Sequence, residues 1–201
     1  MCDTGLAYAC GDTGPGGGVV YYASATPFAC GPNAASMCNF LEVAPNLWDP
    51  NSQHNCPGEC GGSTQQTSDE SGTGKGITSC TAPGSSEFTG PVDTAIGTGF
   101  VNTDSFVDFC NADDAANVAR AYTGGGLTDW SLPSEDELVA LYFYPDRNGI
   151  GGFVDGFYWS STSVGTGLAN ATSFGAADVN GGGTESVSFS QTMAVRPVRA
   201  F

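Results

Sequence analysis

The sequence contains few basic residues. Only five of its 201 residues are lysine or arginine, against twenty-one aspartates and glutamates, so the formal net charge is −16 at pH 7. Such a chain would repel phosphate backbones and anionic membrane surfaces, and we therefore expect no nucleic acid partner. The same charge favours cations, basic protein surfaces or neutral ligands such as sugars, and it also keeps a protein soluble.

Histidine is almost absent. His54 is the single histidine, and no serine or cysteine near it forms an evident nucleophile–base pair. Paired acids occur at Asp113–Asp114 and at 135–137, but both groups stand at predicted helix starts, where acids cap a helix and interact favourably with its dipole. The sequence therefore predicts a protein that is not an enzyme and that needs no cofactor.

Long apolar runs are also missing. No run approaches the roughly 20 residues needed to cross a bilayer, and residues 1–5 contain neither a basic region nor an apolar signal core. We expect no membrane insertion. If the chain is exported, either a signal has been removed or the chain is a piece of a longer polypeptide.

No cysteine follows Cys110, although the first 110 residues hold eight: Cys2, Cys10, Cys30, Cys38, Cys56, Cys60, Cys80 and Cys110. An even count, loop-rich surroundings and a single lysine predict disulfides in an oxidising compartment, which means an extracellular or cell-surface location. About 105 pairings are open to eight cysteines. Local pairing favours Cys2–Cys10, Cys30–Cys38, Cys56–Cys60 and Cys80–Cys110.

Zinc is the alternative use of these thiols. His54, Cys56, Cys60 and Cys80 have suitable ligand types, but they lack the paired C-x2-C spacing of strong zinc motifs.

Glycine and proline are abundant, with 30 and 11 residues. They predict short elements joined by long turns, within a single domain over residues 1–201. Residues 48–91 have almost no periodic apolar pattern but hold three cysteines, which indicates a loop excursion stapled by disulfides.

One helix is specified by a local motif. Ser134 followed three residues later by Glu137 is a capping box, and Leu138, Leu141 and Tyr142 then form an apolar stripe that ends before Pro145. A second helix is predicted to begin at Asn102–Thr103 and to run to Cys110. A third is predicted to begin within 111–114 and to end at Gly124.

The strand predictions surround these helices. Runs of β-branched and aromatic residues bounded by turn residues predict strands at 19–22, 40–44, 157–162, 169–174, 186–189 and 193–201. Because the helices are gathered between β segments and do not alternate with them, we predict an α+β domain.

Several motifs along the chain resemble one family. They are Gly11–Tyr22, Cys30 with Cys38–Pro45, Ala95–Gly99, Asp129–Leu138, Gly151–Phe153, Tyr158–Ser161 and Val195–Phe201. Together they resemble the bacterial domain family typified by the C-terminal domain of a collagen-like adhesin, long described as a domain of unknown function. That family is similar to the C-type-lectin-like fold, which receptor-binding variable proteins of diversity-generating retroelements and formylglycine-generating enzymes share.

The resemblance implies an arrangement as well as a fold. The first strand, 19–22, would lie beside the last, 195–201, and bring the two ends of the domain together. Arg196 and Arg199 would be salt-bridge partners for the acids at the helix starts. Trp130 and Trp159 would anchor the core.

Two departures limit what the resemblance implies. Formylglycine-generating enzymes use a cysteine pair late in the domain, where this chain has none. The Glu-Pro-Asn, Gln-Pro-Asp and Trp-Asn-Asp motifs that hold calcium in sugar-binding lectins are also missing. Asp146–Gly149 and Asp178–Gly181 are fragments of calcium loops without the distant bidentate acid of an EF-hand, so calcium stays an alternative.

The function predicted from these patterns is an extracellular binding or adhesion module that recognises a protein or glycan on a cell surface through its C-terminal loops. The adaptable polar composition of residues 160–191 supports this prediction. The predicted binding residues are Thr166, Asn170, Thr172, Asp178, Asn180, Glu185, Ser188 and Gln191. Asn170–Thr172 also has the form of a glycosylation sequon. The alternative is a structural subunit or tip domain of a surface filament, which would self-associate as a homo-oligomer.

Overall fold

A computed structural model describes residues 1–46, 48, 77–151, 153, 156–174 and 182–201. The strands of this part of the chain are β1 (Val19–Cys30), β2 (Ser36–Val43), β3 (Ile77–Thr78), β4 (Phe157–Gly165), β5 (Leu168–Ser173), β6 (Thr184–Ser188), β7 (Thr192–Met193) and β8 (Val198–Ala200). The helices are α1 (Gly99–Val107), α2 (Ala115–Ala121), α3 (Glu135–Tyr142) and α4 (Arg147–Ile150). The protein is thus a mixed helix and strand structure whose helices lie between β3 and β4 in the sequence, as expected.

The first sheet has the order β1–β2–β8, and both pairings are antiparallel. The prediction that the first and last strands are neighbours is therefore wrong, because Leu41 of β2 pairs with Ala200 of β8. The outer edge of β1 is already occupied by the N-terminal residues, since the Gly11 amide donates to the Val20 carbonyl at 2.8 Å. Strand β8 consequently adds to the free edge of β2.

The two ends of the chain nevertheless meet, as expected. The Tyr8 ring contacts Phe201 edge-on, with 5.2 Å between ring centroids, and Phe40 of β2 stacks on the same phenylalanine at 5.3 Å.

The first strand continues beyond the predicted 19–22. It includes Thr26–Cys30, which lie outside the predicted strands, because the hairpin partner β2 extends back to Ser36 and pairs it with Cys30. A short turn at Pro32–Ala34 joins the two strands.

The sheet of the C-terminal half has the order β4–β5–β6, with Trp159 opposite Ala171 and Leu168 opposite Ser188. The other edge of β4 is covered, because the Trp159 amide donates to the Ala194 carbonyl at 2.9 Å. The third sheet is the short β3–β7 pair. The predicted strand at 193–201 is divided between β7 and β8.

The buried residues include the two expected anchors. Trp130 and Trp159 are fully buried in one cluster with Phe106, Phe189 and three alanines of α2, Ala115, Ala116 and Ala119. The Trp159 indole N–H also donates to the Ile77 carbonyl at 2.6 Å, which ties β4 to β3. A second cluster contains Tyr21, Leu41, Leu138, Leu141, Tyr158 and Phe174.

The helix starts differ in how well local motifs predict them. The capping box of α3 is present as predicted, with the Glu137 amide donating to the Ser134 hydroxyl and the Ser134 amide donating to the Glu137 carboxylate. Helix α1 begins at Gly99, so Asn102 and Thr103 lie inside it and do not cap it. Their side chains instead donate to the carbonyls of Asp93 and Gly99, at 2.6 and 2.7 Å.

Asp114 precedes α2 but does not cap it through its side chain. The carboxylate accepts the Thr81 amide at 2.7 Å and the Asn111 amide at 2.8 Å. The capping role predicted for Asp114 is therefore wrong, since this acid holds the segment after β3 against the start of α2.

Three disulfides are present in the described residues: Cys2–Cys10, Cys30–Cys38 and Cys80–Cys110. Each is a pair that the sequence favours. Cys56, Cys60 and the zinc alternative's His54 lie outside the described residues, as does most of the predicted excursion at 48–91. Within the described part of that excursion, Cys80 is buried and Trp48 belongs to the first core cluster.

Candidate functional site

Glu42 and Glu137 are buried carboxylates, and buried acids are common in catalytic sites. Glu42 of β2 is fully buried. Its oxygens accept the amides of Gly16, at 2.9 and 3.1 Å, and of Gly18, at 3.1 Å, and one oxygen also accepts the Arg199 guanidinium at 3.0 Å. A side chain at Gly16 would lie 2.8 Å from the carboxylate and would collide with Trp130. Glu42 therefore holds the glycine turn in place.

Glu137 has a similar arrangement. The carboxylate accepts the Gly97 amide at 2.7 Å and the Ser134 amide at 2.8 Å. Burial raises the pKa of Glu137 to about 7, although the backbone N–H groups of Ser134, Gly97 and Gly99 oppose that shift. The Tyr21 hydroxyl is buried without a hydrogen-bond partner among the described residues, and burial, followed by the Glu137 charge, raises its pKa well above 10. Through its two amide hydrogen bonds, Glu137 joins the start of α3 to the loop before α1.

Arg199 is a salt-bridge partner, but not of the predicted acids. It pairs with Glu42 of β2 and Asp129, and neither of these stands at a helix start. The side chain of the buried Arg196 donates to the backbone carbonyls of Ala44 and Gly151, both at 2.9 Å. Both arginines thus join the C-terminal residues to distant parts of the chain.

A metal site needs several ligand atoms close together. Among the described residues, only Cys80, Cys110 and Asp114 lie close enough together, and the two cysteines form a disulfide. Within the fragment Asp146–Gly149, Asp146 directly precedes α4 and the other three residues lie inside it, where the Gly149 amide donates to the Asp146 carbonyl at 2.9 Å. Asp178–Gly181 lies outside the described residues. No helix among the described residues is long and apolar enough to cross a membrane.

The eight predicted binding residues do not form one exposed set. Thr166, Glu185 and Gln191 are exposed, Ser188 is partly exposed, and Asp178 and Asn180 lie outside the described residues. Asn170 and Thr172 are buried in β5, so the expectation that they are surface residues is wrong. Both face away from the core alanines of β5, and the helix α3 covers that side.

The buried position of Asn170 also bears on the sequon. Its side-chain amide donates to the Glu135 carboxylate at the start of α3. An asparagine held in this way cannot accept a glycan in the folded protein, because a glycan needs a surface position.

Three of the predicted residues do come together, at the end of the C-terminal sheet where β4 turns into β5. Ser188 closes β6 opposite Leu168, and the Gln191 amide donates to the Ser188 carbonyl at 2.9 Å. Thr166 lies in the turn between β4 and β5.

The segment 86–92 lies against the same turn. The Gly167 amide donates to the Phe88 carbonyl at 3.0 Å, and the Ser163 amide donates to the Pro91 carbonyl at 2.6 Å. The hydroxyls of Thr89 and Thr166 are 3.3 Å apart. A part of the predicted excursion thus belongs to the same surface as the C-terminal turns.

Apolar side chains are exposed here as well. Phe88 stacks on Phe109 with 4.3 Å between ring centroids and 8° between the ring planes, and Phe109 remains 36% exposed. We name the whole area the hairpin-end surface. Its polar members are Thr89, Thr166, Ser188 and Gln191, and its apolar members are Phe88, Val92, Phe109, Val164 and Leu168.

Sequence reasoning missed the apolar members because it searched for polar loop residues. Val92 lies between Pro91 and Asp93, and Val164 and Leu168 each follow a serine or a glycine. None of the three belongs to a run of large apolar residues that would predict a core strand or a helix face. That isolation is the one signal that could have indicated exposed apolar contacts. Their proximity depends on contacts between residues distant in sequence, such as Thr89 and Thr166, which are 77 positions apart.

A scan against protein-family models and a search of curated proteins found no match to this chain.

Proposed function

We propose that this protein is an extracellular binding module of C-type-lectin-like fold, which attaches to a protein or glycan on a cell surface through the hairpin-end surface. The observation that carries the proposal is the stacked Phe88–Phe109 pair, which stays partly exposed beside the hydroxyls of Thr89 and Thr166. Exposed apolar side chains rimmed by polar ones are a common feature of the sites through which proteins interact.

The rigid base of this surface supports the same proposal. Its turns are joined to each other by backbone hydrogen bonds. They lie at the end of the β4–β5–β6 sheet, one face of which packs on the tryptophan cluster. The disulfide Cys80–Cys110 links the segment before Phe88 to the residue after Phe109. Binding residues on a preformed base lose little conformational entropy when a partner attaches.

The fold part of the proposal is supported by the meeting of the two chain ends, by the long irregular stretches and by the small C-terminal sheet that carries exposed turns. The disulfides agree with an extracellular location, because such bonds persist in oxidising compartments.

The proposal is tested with a triple variant, Thr166→Ala, Ser188→Ala and Gln191→Ala. Attachment to a glycan array and to a panel of purified cell-surface proteins is measured beside the parent protein. We expect attachment to fall at least tenfold while the thermal unfolding midpoint stays within about 2 °C, since exposed substitutions usually change stability by less than about 0.5 kcal/mol.

The matched control replaces three exposed polar residues outside this surface, Thr26, Ser36 and Thr123, with alanine. It should attach like the parent protein. Equal attachment by the triple variant and its parent would place the binding site elsewhere on the molecule.

A further inference from the structure

Acids flank the apolar members of the hairpin-end surface. Glu87 precedes Phe88, Asp93 follows Val92, and Asp108 precedes Phe109, and all three acids are exposed. Every acid next to these apolar residues in the sequence therefore contributes negative charge at or near the surface.

The cations of the described residues are engaged elsewhere. Arg120 pairs with Asp104 and stacks on Phe100, and Arg199 pairs with Glu42 and Asp129. Arg147 donates to the Tyr142 carbonyl, and Arg196 is buried. Within the part of the chain that the structure describes, Glu87, Asp93 and Asp108 form no salt bridge.

We propose that the occupant of the hairpin-end surface is a segment of a partner protein that carries a large apolar side chain between lysine or arginine residues. The apolar side chain would lie against Phe109 and Leu168, and the cations would meet the acids at its margin. This inference rests on the proposed function and specifies the partner class. Aromatic or aliphatic anchors surrounded by complementary charge are the usual organisation of a protein interface.

Two other occupants fit the charges less well. A second copy of this chain carries the same −16 charge, so two hairpin-end surfaces would repel each other. A neutral glycan has no positive charge to pair with the acids, and Val92, Val164 and Leu168 cannot form hydrogen bonds with its hydroxyl groups.

The test uses three sets of synthetic twelve-residue peptides with defined composition. The first combines tryptophan and leucine with lysine and arginine. The second keeps the apolar residues but replaces the cations with glutamate, and the third keeps the cations but replaces the apolar residues with serine and glycine. Binding to the full chain is measured by titration calorimetry, and a neutral-glycan array is probed in parallel.

We expect the first set to bind at least tenfold more tightly than the second and third. Its binding should weaken severalfold when NaCl rises from 0.05 to 0.5 M, because salt screens charge pairs at a surface.

Charge-swapped variants locate the contact. Leu168→Lys and Leu168→Glu remove the same apolar side chain, so the lysine variant should lose at least threefold more affinity for the cationic peptides than the glutamate variant. Glu87→Lys, a change in an exposed turn, should weaken the same peptides even if neither Leu168 variant folds. Phe143→Ser is the matched control, because Phe143 is an exposed aromatic residue next to Gly182, at the opposite end of the sheet.

Three other outcomes would each contradict a different part of the proposal. Peptides of the second set that bind as tightly as the first would overturn the charge complementarity. Glycans that bind through Leu168 while no peptide binds would overturn the protein partner and leave the proposed function intact. Peptide and glycan binding that is insensitive to Leu168 and Glu87 would overturn the inference and the proposed function together.

Discussion

At the scale of single residues, the stability of this protein depends on buried carboxylates that few side chains could replace. Glu42 and Glu137 are both held by backbone amides from glycine-containing turns. An unpaired buried charge is costly, whereas one that accepts several amide hydrogen bonds is tolerated. Each glutamate therefore determines the path of a turn distant in sequence.

Removal of Arg199 should expose the cost of burying Glu42. We expect Arg199→Met to lower the free energy of unfolding by about 3–5 kcal/mol, the usual loss when one partner of a buried ion pair is removed. Denaturant titration of Arg199→Met and of the double variant Arg199→Met, Glu42→Gln measures the loss in each case. The double variant should recover part of the loss, because the neutral amide no longer needs a cation; equal losses would contradict the role of charge.

The pKa of Glu137 makes a prediction about pH. Its value in the folded protein, about 7, lies above the ordinary 4.5. Between these values the folded state binds more protons than the unfolded state, so the contribution is fully present below about pH 4.5 and is lost as the pH rises through about 7. Thermal unfolding from pH 4.5 to 8 should show the parent losing stability relative to Glu137→Gln, by at most about 3 kcal/mol.

Glutamine at this position preserves the capping box, since Glu and Gln both serve there. Glu87→Gln, a change at an exposed acid, is the control and should keep the pH dependence of the parent. Parallel curves for the parent and Glu137→Gln would show that Glu137 is ionised throughout this pH range.

At the scale of elements, the disulfides close loops of different length. Cys30–Cys38 spans eight positions within the β1–β2 hairpin, whereas Cys80–Cys110 spans thirty and joins the segment after β3 to the residues that follow α1. A cross-link stabilises mainly by restricting the unfolded chain, and the effect grows with the logarithm of loop length.

Replacing both cysteines of a pair with alanine should therefore cost about 2.5 kcal/mol for Cys30–Cys38 and about 3.6 kcal/mol for Cys80–Cys110. Denaturant unfolding of the two double variants gives the difference, and the order is the decisive result. A larger loss for the hairpin pair would mean that the disulfide stabilises mainly through contacts in the folded hairpin and not by restricting the unfolded chain. Non-reducing peptide mapping tests the remaining predicted pair, Cys56–Cys60.

At the scale of the whole molecule, the charge of −16 opposes the compact state. Salt shortens the range of this repulsion from roughly 30 Å at 0.01 M to about 8 Å at 0.15 M. We expect the thermal unfolding midpoint to rise over that interval of NaCl. A constant or falling midpoint would show that favourable ion pairs outweigh the repulsion.

Calcium chloride at matched ionic strength examines the calcium alternative in the same experiment. A rise in the midpoint beyond that produced by NaCl would indicate a specific calcium site, because a ligand that binds only the folded state stabilises it. An equal rise would indicate screening alone.

The sequence by itself determined the features that depend on neighbouring residues. The capping box at Ser134 and Glu137 requires only a spacing of three residues. Each of the three described disulfides joins a cysteine to the next cysteine in the sequence. The massing of helices between β segments followed from the order of local patterns.

Only the tertiary structure decided which residues meet across long separations. It paired β8 with β2 because the N-terminal residues occupy the outer edge of β1. It buried Asn170 and Thr172, whose polar character had suggested exposure, since α3 covers that side of β5. It also brought Phe88 and Phe109 beside the β4–β5 turn. Such contacts reflect the combined packing of many elements, and no local spacing of residue types encodes them.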